Sequence, residues 1–464
     1  MKSLFRFTPV ALMLVLTGCT VGPDYKRPDM AMPLHYKEAS GWQQAKPQDD
    51  VSKGEWWSVY HDATLDGLMR QVSINNQNVA TYAAQYRQAQ ALVSQSRAAL
   101  LPSVSYDGTG TRSGSHSNGT RTVSNSNQAE LSASWEVDLW GKLRRTVEEN
   151  KASAQASAAE LANITLSAQS SLAQDYFQLR IMDEKIALYQ QSVNAYQRYL
   201  TVIQNKYNAG SESRATLAQA QTQLESARAS AQDYQWQRAQ TEHAIALLIG
   251  RAPADFTLPV AKLTATLPAI PQTLPSQLLQ RRPDIAYAER NVASYNAAVG
   301  VAIAGYYPDL TLSASGGFSS SALHSLFSLP NRVWSLGPEL SGTLLDFGAT
   351  SAKVEQARAA YDASVATYRQ TVLTALQEVE DYLVELNTLQ SEMVSQQLAA
   401  QGAQESARVT RNQYEAGMID YLDVASTENT SLSQQQSLLS LQSTQWVASV
   451  ELIAALGGGW QASQ

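Results

Sequence analysis

Few side chains in this 464-residue chain are arranged to do chemistry. Its five histidines, His35, His61, His116, His243 and His324, are scattered. None stands at paired metal-ligand spacing or in an H-E-x-x-H pattern. Gly114-Ser115-His116-Ser117-Asn118-Gly119 is glycine-rich but lacks the lysine of a phosphate loop, so it reads as a strand-connecting loop. The eight methionines are dispersed. A single thiol, Cys19, excludes internal disulfides and a cysteine-rich metal centre. The pattern supports no catalytic residue, metal or cofactor. What the chain does must come from how its elements are arranged.

The net charge of -7 comes without a basic stripe, which argues against nucleic acid as a partner. Between Gly141 and Gly210 lie sixty-eight residues with neither glycine nor proline. Sixty-eight more lie between Gly348 and Gly417, broken only by Gly402. Thirty-nine further residues free of both follow each run, ending at Gly250 and Gly457. One architecture is thus written twice, about 207 residues apart. At about 1.5 Å per residue each rod would reach roughly 100 Å, more than a single globular core requires. Ala152, Ala154, Ala156, Ala158 and Ala159 allow neighbouring helices to approach along two narrow seams. Gln- and Ser-rich faces are left for water. A long bundle or coiled coil would show the same residues. Gly210 and Gly417 read as matching helix-terminating turns at the tips of the rods.

Ahead of each rod the apolar period changes from helical to alternating. Ala129, Leu131, Ala133, Trp135, Val137 and Leu139 alternate with polar residues, as do Val104 and Tyr106 within Ser103 to Arg112. A polar loop is expected over Ser113 to Ser126. In the second copy Leu310, Leu312, Ala314 and Phe318 alternate, as do Leu336, Leu340 and Leu344, with a loop from Ser320 to Arg332. These hairpins could belong to a soluble sheet or cross a membrane. A crossing sheet must close, because hydrocarbon offers no partner to an open edge. Four strands are too few for a spanning barrel. Two chains would supply eight strands and three would supply twelve, so a homo-oligomer is expected.

Residues 1–18 form a secretory signal, with Lys2 and Arg6 ahead of an apolar core. Its end, Leu16-Thr17-Gly18-Cys19, resembles the bacterial lipobox. That resemblance implies N-acylation and an S-diacylglycerol group on Cys19. Thr20 in place of aspartate implies sorting to the outer membrane. Residues 19–61 then form an acylated N-terminal extension, in which Trp56 and Trp57 pack against helices. The duplicated units follow at 62–250 and 276–457, each a helix, a strand pair (about 103–139 and 309–346), a long helix and another helix. Helical periodicity in the first begins at Asp62 or Thr64 and ends before Pro102. A Pro-rich linker over 251–275 separates the copies, and 458–464 is a C-terminal tail.

The order of Cys19-Thr20-Val21-Gly22-Pro23-Asp24-Tyr25, Trp56-Trp57, Asp138-Leu139-Trp140-Gly141, Arg281-Arg282-Pro283-Asp284-Ile285 and Asp346-Phe347-Gly348 resembles the outer-membrane factor family of tripartite efflux pumps. The resemblance is to its lipoprotein OprM/NodT branch, related to TolC, and covers nearly the whole chain. It implies a mainly α, internally duplicated fold whose trimer forms a 12-stranded outer-membrane β-barrel continuous with a 12-helix periplasmic α-barrel and an outer equatorial region. It also implies a passive duct for drugs or other small toxic compounds. The implied partners are a periplasmic adaptor, an inner-membrane transporter of the RND type and outer-membrane lipid. The family's periplasmic constriction corresponds here to Leu422, Asp423 and Ser426. Ser426 stands where relatives often carry aspartate, so acidity would rest on Asp423, whose symmetry copies would repel if they converged. Asp423 read alone is equally an exposed helix-start residue. In the first copy Arg214 and Thr216 lie near the corresponding tip. A protein or peptide export channel and a non-conducting lipid-anchored stalk are the competing readings.

Overall fold

The computed structural model describes residues 20–30, 33, 36–39, 54–117, 119–268 and 281–458. The signal segment, Cys19 and the proposed tail beyond residue 458 lie outside them, as does the linker from residue 269 to 275. In chain order the elements are α1 (Ala63–Asn75), α2 (Gln77–Ala98), β1 (Ser103–Ser117), β2 (Thr120–Val137), α3 (Lys142–Asn208) and α4 (Arg214–Leu248). Then come α5 (Pro283–Ala304), β3 (Asp309–Ser320), β4 (Arg332–Ser341), α6 (Ala349–Glu415) and α7 (Tyr421–Ala455). The duplication is exact in length: α3 and α6 each have 67 residues, and α4 and α7 each have 35. No described helix is long and apolar enough to cross a membrane.

The elements divide between two compact units. One gathers the described parts of 1–30, 84–158 and 287–370, and the other those of 31–83, 159–286 and 371–464. The first unit holds one antiparallel sheet in the order β1-β2-β3-β4. Its strands pass into helices through matched turns. The Asp138 carboxylate accepts from the N–H groups of Leu143 (3.1 Å) and Arg144 (3.0 Å), and Gly141 turns the chain at φ +81°. The Asp346 carboxylate accepts from Gly348 (3.0 Å) and Thr350 (2.8 Å), with Gly348 at φ +96°. An acceptor at a helix start satisfies N–H groups that lack intrahelical partners, and glycine takes the left-handed turn without a Cβ penalty. Beyond the turn, Ala152, Ala156 and Ala159 are buried at helical spacing and Ala154 is buried on another side of α3, as two seams require.

The second unit is built on an aromatic core. Trp56, Trp57 and Tyr60 pack with Leu65, Met69, Phe177 and Trp446. Phe177 stacks on Trp446 at 4.6 Å, and the Tyr60 hydroxyl lies 2.9 Å from Ser449 Oγ. The described start of the linker is clasped to the helices. Arg180 donates to Pro259 O and Arg238 to Leu258 O, both at 2.7 Å. Buried Asp183 sits between the two guanidiniums, 2.6 Å from Arg238 Nε.

Three expectations are corrected. The polar stretch from Ser113 to Ser126 is not a loop: β1 and β2 stay paired until Ser117 faces Thr120. Ladder bonds join backbone groups, so a strand can outrun its apolar side chains. In the second copy β4 ends at Ser341, which leaves Leu344 outside the strand and fully exposed. The helix expected over 62–101 breaks at Asn76, which is extended at φ -64° and ψ 123°. Asn76 Oδ1 accepts from Asn78 N (2.9 Å) and Val79 N (3.1 Å), while its amide donates to Leu248 O (2.8 Å). The second copy does the same job with a different residue. Arg282, just before α5, donates to Ala455 O at 3.1 Å and pairs with Asp284 and Glu378, each at 2.7 Å.

Asn76→Ala removes a cap and leaves Leu248 O short of a donor, so it should destabilise this unit by about 2 kcal/mol. An unchanged melting curve would refute that role. Asp175 supplies a pH test, because burial pushes its carboxyl up to about 6. Against an unfolded value near 3.9, the folded chain favours the proton. Stability should therefore fall as pH rises from about 4 through 6 and stay lower above that. Asp175→Asn should remove this slope, which denaturant titrations across that range would show.

Candidate functional site

The sheet's register separates two chemistries. Cross-strand rows Val104–Ala133–Ala314–Leu336 and Tyr106–Leu131–Gly316–Trp334 share one face. Trp135–Leu312–Pro338 and Val137–Leu310–Leu340 extend that face. The opposite face carries Ser105–Ser132–Ser315–Ser335 and Glu136–Thr311–Glu339. Facing hydroxyls pair there: Ser105 with Ser132 at 2.8 Å and Ser315 with Ser335 at 3.0 Å. The apolar face is uncovered, with Tyr106 87% and Leu336 76% exposed. Within the described residues β1 and β4 each pair on one side only. The arrangement offers one surface to hydrocarbon, the other to water, and two open edges.

Thr20 to Arg27 straps across the strand–helix junction of the same unit. Val21 N–H donates to Trp140 O at 3.0 Å. The buried Arg145 guanidinium donates to Val21 O (3.2 Å), Gly22 O (3.2 Å), Asp24 (2.9 Å) and Glu148 (2.7 Å). Pro23 O accepts from Asn296 at 3.0 Å, and the Tyr25 hydroxyl donates to Glu289. Burial raises the Tyr25 phenol's pKa, so it remains a donor. Gly22, at φ +92°, presses on Gly300, where an added Cβ would lie 2.5 Å from Gly300 Cα. Thr20 likewise lies against Gly141. Cys19 is outside the described residues; its neighbour Thr20 is held at the junction.

In the second unit the turns at Gly210 and Gly417 are alike. Gly210, at φ +77°, donates to Tyr207 O and Ser211 donates to Lys206 O, both at 2.9 Å. Gly417, at φ +75°, donates to Tyr414 O and Met418 donates to Gln413 O, both at 2.9 Å. These paired bonds satisfy the last helical carbonyls. Below the turns Tyr421, Val424 and Ala425 are buried with Ile203, Ala220 and Tyr414. Tyr421 Oη donates to Gln223 (2.7 Å), whose amide donates to Ala425 O (2.9 Å). Arg411 Nε meets Glu428 at 3.1 Å, and Lys206 Nζ lies 4.6 Å over the Tyr414 ring. Burial raises the phenol pKa values of Tyr196, Tyr199 and Tyr421.

Leu422, Asp423 and Ser426 come together on the exposed face of α7, opposite that core. Arg214 is also exposed. Thr216 belongs instead to the start of α4, where its N–H and hydroxyl both lie 3.0 Å from Ser213 Oγ. Gln223, Arg411, Glu428 and Arg145 lie outside the expectations drawn from sequence. Only Arg145 carried a local signal: Lys142, Arg144 and Arg145 crowd a helix N-terminus, where cations are disfavoured unless something else holds them.

The family model described as outer membrane efflux protein matches this chain twice, over residues 68–251 and 274–458. The cation efflux system protein CusC of Escherichia coli O6:H1 is 28% identical over 98% of this chain and 99% of its own. The probable efflux pump outer membrane protein TtgC of Pseudomonas putida is 28% identical over 99% and 96%. A solved structure of the outer-membrane channel OprN superposes with a TM-score of 0.88 at 28% identity, covering 96% of this chain and all of that one.

Trypsin should report on the strap through the Lys26–Arg27 bond, since Pro28 blocks cleavage after Arg27. Arg145→Ala should speed cleavage there on the order of tenfold by releasing several hydrogen bonds at once. Cleavage at the wild-type rate would mean that the guanidinium does not hold the segment.

Proposed function

Since the chain belongs to the outer membrane efflux protein family and serves as an outer-membrane efflux channel, we propose that three copies complete its duct. The observation that carries this reading is the open sheet whose one face is apolar from the strand–helix junctions to the row Tyr106–Leu131–Gly316–Trp334. In hydrocarbon each unpaired N–H or C=O costs several kcal/mol, so β1 and β4 must find partners. A β1-to-β4 junction between identical chains supplies them on every side. Three chains give twelve strands, with the serine and glutamate face lining a water-filled bore. The paired long helices, each about 100 Å, would continue that bore through the periplasm as a 12-helix barrel.

In this reading Cys19 carries N-acyl and S-diacylglycerol chains that enter the bilayer beside the junction where Thr20 is held. Multiple acyl chains anchor firmly, at about 0.8 kcal/mol per buried CH2. A periplasmic adaptor would dock on the helical barrel and an inner-membrane transporter of the RND type would deliver small toxic compounds. The bare face bearing Leu422, Asp423 and Ser426 would turn inward around the threefold axis, with Arg214 near the mouth. Convergent carboxylates from Asp423 would favour cations there.

The purified protein should run as a trimer in detergent and conduct ions in planar bilayers. A well-folded monomer that needs no detergent once residues 1–19 are removed would overturn the closure. A trimer without conductance would favour the stalk. Asp423→Asn should lower cation over anion preference by about twofold or more, and an unchanged reversal potential would remove Asp423 from the constriction. Drug susceptibility of a deletion strain, set against its secreted proteins, separates compound efflux from protein export.

A further inference from the structure

The apolar face of the sheet does not reach the hairpin ends. Beyond the row Tyr106–Leu131–Gly316–Trp334, the same strand parity brings Gly108–Ala129–Phe318–Arg332, then Arg112 opposite Asn125 and His116 opposite Arg121. The outward face thus changes from hydrocarbon-like to basic at the end remote from the strand–helix junctions. Asp107 and Glu130 fall on the opposite face. Among the described residues none of Arg112, Arg121 and Arg332 forms an ion pair.

The β3–β4 connection folds onto this same face. The Phe327 ring meets Phe318 edge-on at 5.6 Å, and Leu326 is buried beneath. Its shape is held internally: Asn331 Nδ2 and Ser328 Oγ both donate to Ser325 O at 2.7 Å, and Ser320 Oγ lies 3.0 Å from Ser325 Oγ. Between this connection and the first hairpin lies an open recess of about 760 Å³, bounded by Arg112, Asn125, Asn127, Leu323 and His324. Every ionisable side chain on its wall is a base. Leu323, on its wall, and Phe327, on the same connection and against Phe318 of the sheet, stand exposed.

A recess with cationic donors inside and apolar residues at its rim, set where a hydrocarbon-facing surface ends, suits a molecule with a phosphate head and acyl tails. We propose that it binds the phosphorylated headgroup of a lipid in the outer leaflet. The proposal rests on the membrane reading of the sheet. Arg112 offers a forked donor for phosphate oxygens, His324 a ring N–H, and the two asparagines carboxamide N–H groups. Leu323 and Phe327 meet the first acyl carbons. Bound lipid would tether both hairpins of one chain through a single ligand.

The test uses the full-length oligomer, stripped of lipid in non-ionic detergent and offered diphosphorylated lipid A or its dephosphorylated counterpart. Native mass spectrometry counts the lipid retained, and planar-bilayer conductance is recorded on the same preparation. The wild type should retain the phosphorylated form preferentially. Arg112→Gln combined with His324→Gln should weaken retention about tenfold, the scale of one charge-assisted hydrogen bond. His324→Gln alone, which leaves the strands untouched, should weaken it in the same direction. Equal retention of the two lipids, or equal retention by wild type and both variants, overturns the proposal. So does displacement of the lipid by inorganic phosphate, which would mark a free-phosphate site. A preparation that conducts yet shows equal retention sinks this proposal alone; one that never conducts sinks the channel reading beneath it.

Discussion

Hydrogen bonding at a sheet edge is the constraint from which the rest follows. Hydrocarbon supplies neither donor nor acceptor, so a strand that enters it must be paired on both sides. Among the described residues this chain builds one sheet, β1 to β4, and leaves both ends open. A soluble protein with so apolar a face would cover it with helices, yet here the face stands bare while its reverse is lined with serine and glutamate. The proposed closure by further copies answers the edge and the face together, because a ring of sheets has no edge and turns one chemistry outward.

Duplication makes such a wall economical to encode. The long helices α3 and α6, and α4 and α7 after them, start 207 positions apart and have equal lengths. The two copies nevertheless solve the same local problem with different chemistry. At the entry to α2 an asparagine amide satisfies the last carbonyl region of α4, through Leu248. At the entry to α5 an arginine satisfies that of α7, through Ala455, and recruits Asp284 and Glu378. What persists between copies is the unsatisfied helix end; the residue that meets it is free to differ. The strand–helix turns diverge less, because a left-handed turn and an acceptor for the first N–H groups leave few choices besides glycine and aspartate.

Much of this was legible in the residues. Rod lengths followed from where glycine and proline are scarce, since proline breaks a helix interior and glycine weakens it, although α6 runs on through Gly402. The face of each strand followed from the period-two pattern around Trp135 and Leu312. Where the reading failed, backbone had overruled side chain. Ser113 to Ser126 looks like a loop by composition, yet its N–H and C=O groups continue the ladder begun below. Asn76 sits inside a helical pattern, yet its side chain caps one helix and reaches Leu248 in another.

By itself the sequence determined the inventory: two copies, four strands, long helices with small-residue seams, and an apolar set confined to alternate positions. Those are local properties, written in spacing and intrinsic conformational preference. Which residues meet across sequence distance is settled by the folded arrangement alone. It aligned four separate alternations into one face, placed Arg145 under the strap at Gly22 and Asp24, and set Gln223 between Tyr421 and Ala425. It also gathered Leu422, Asp423 and Ser426 on a face the chain leaves bare. The reason is physical: period fixes the direction of a side chain relative to its own backbone, whereas its neighbours depend on register and packing, which no local pattern encodes.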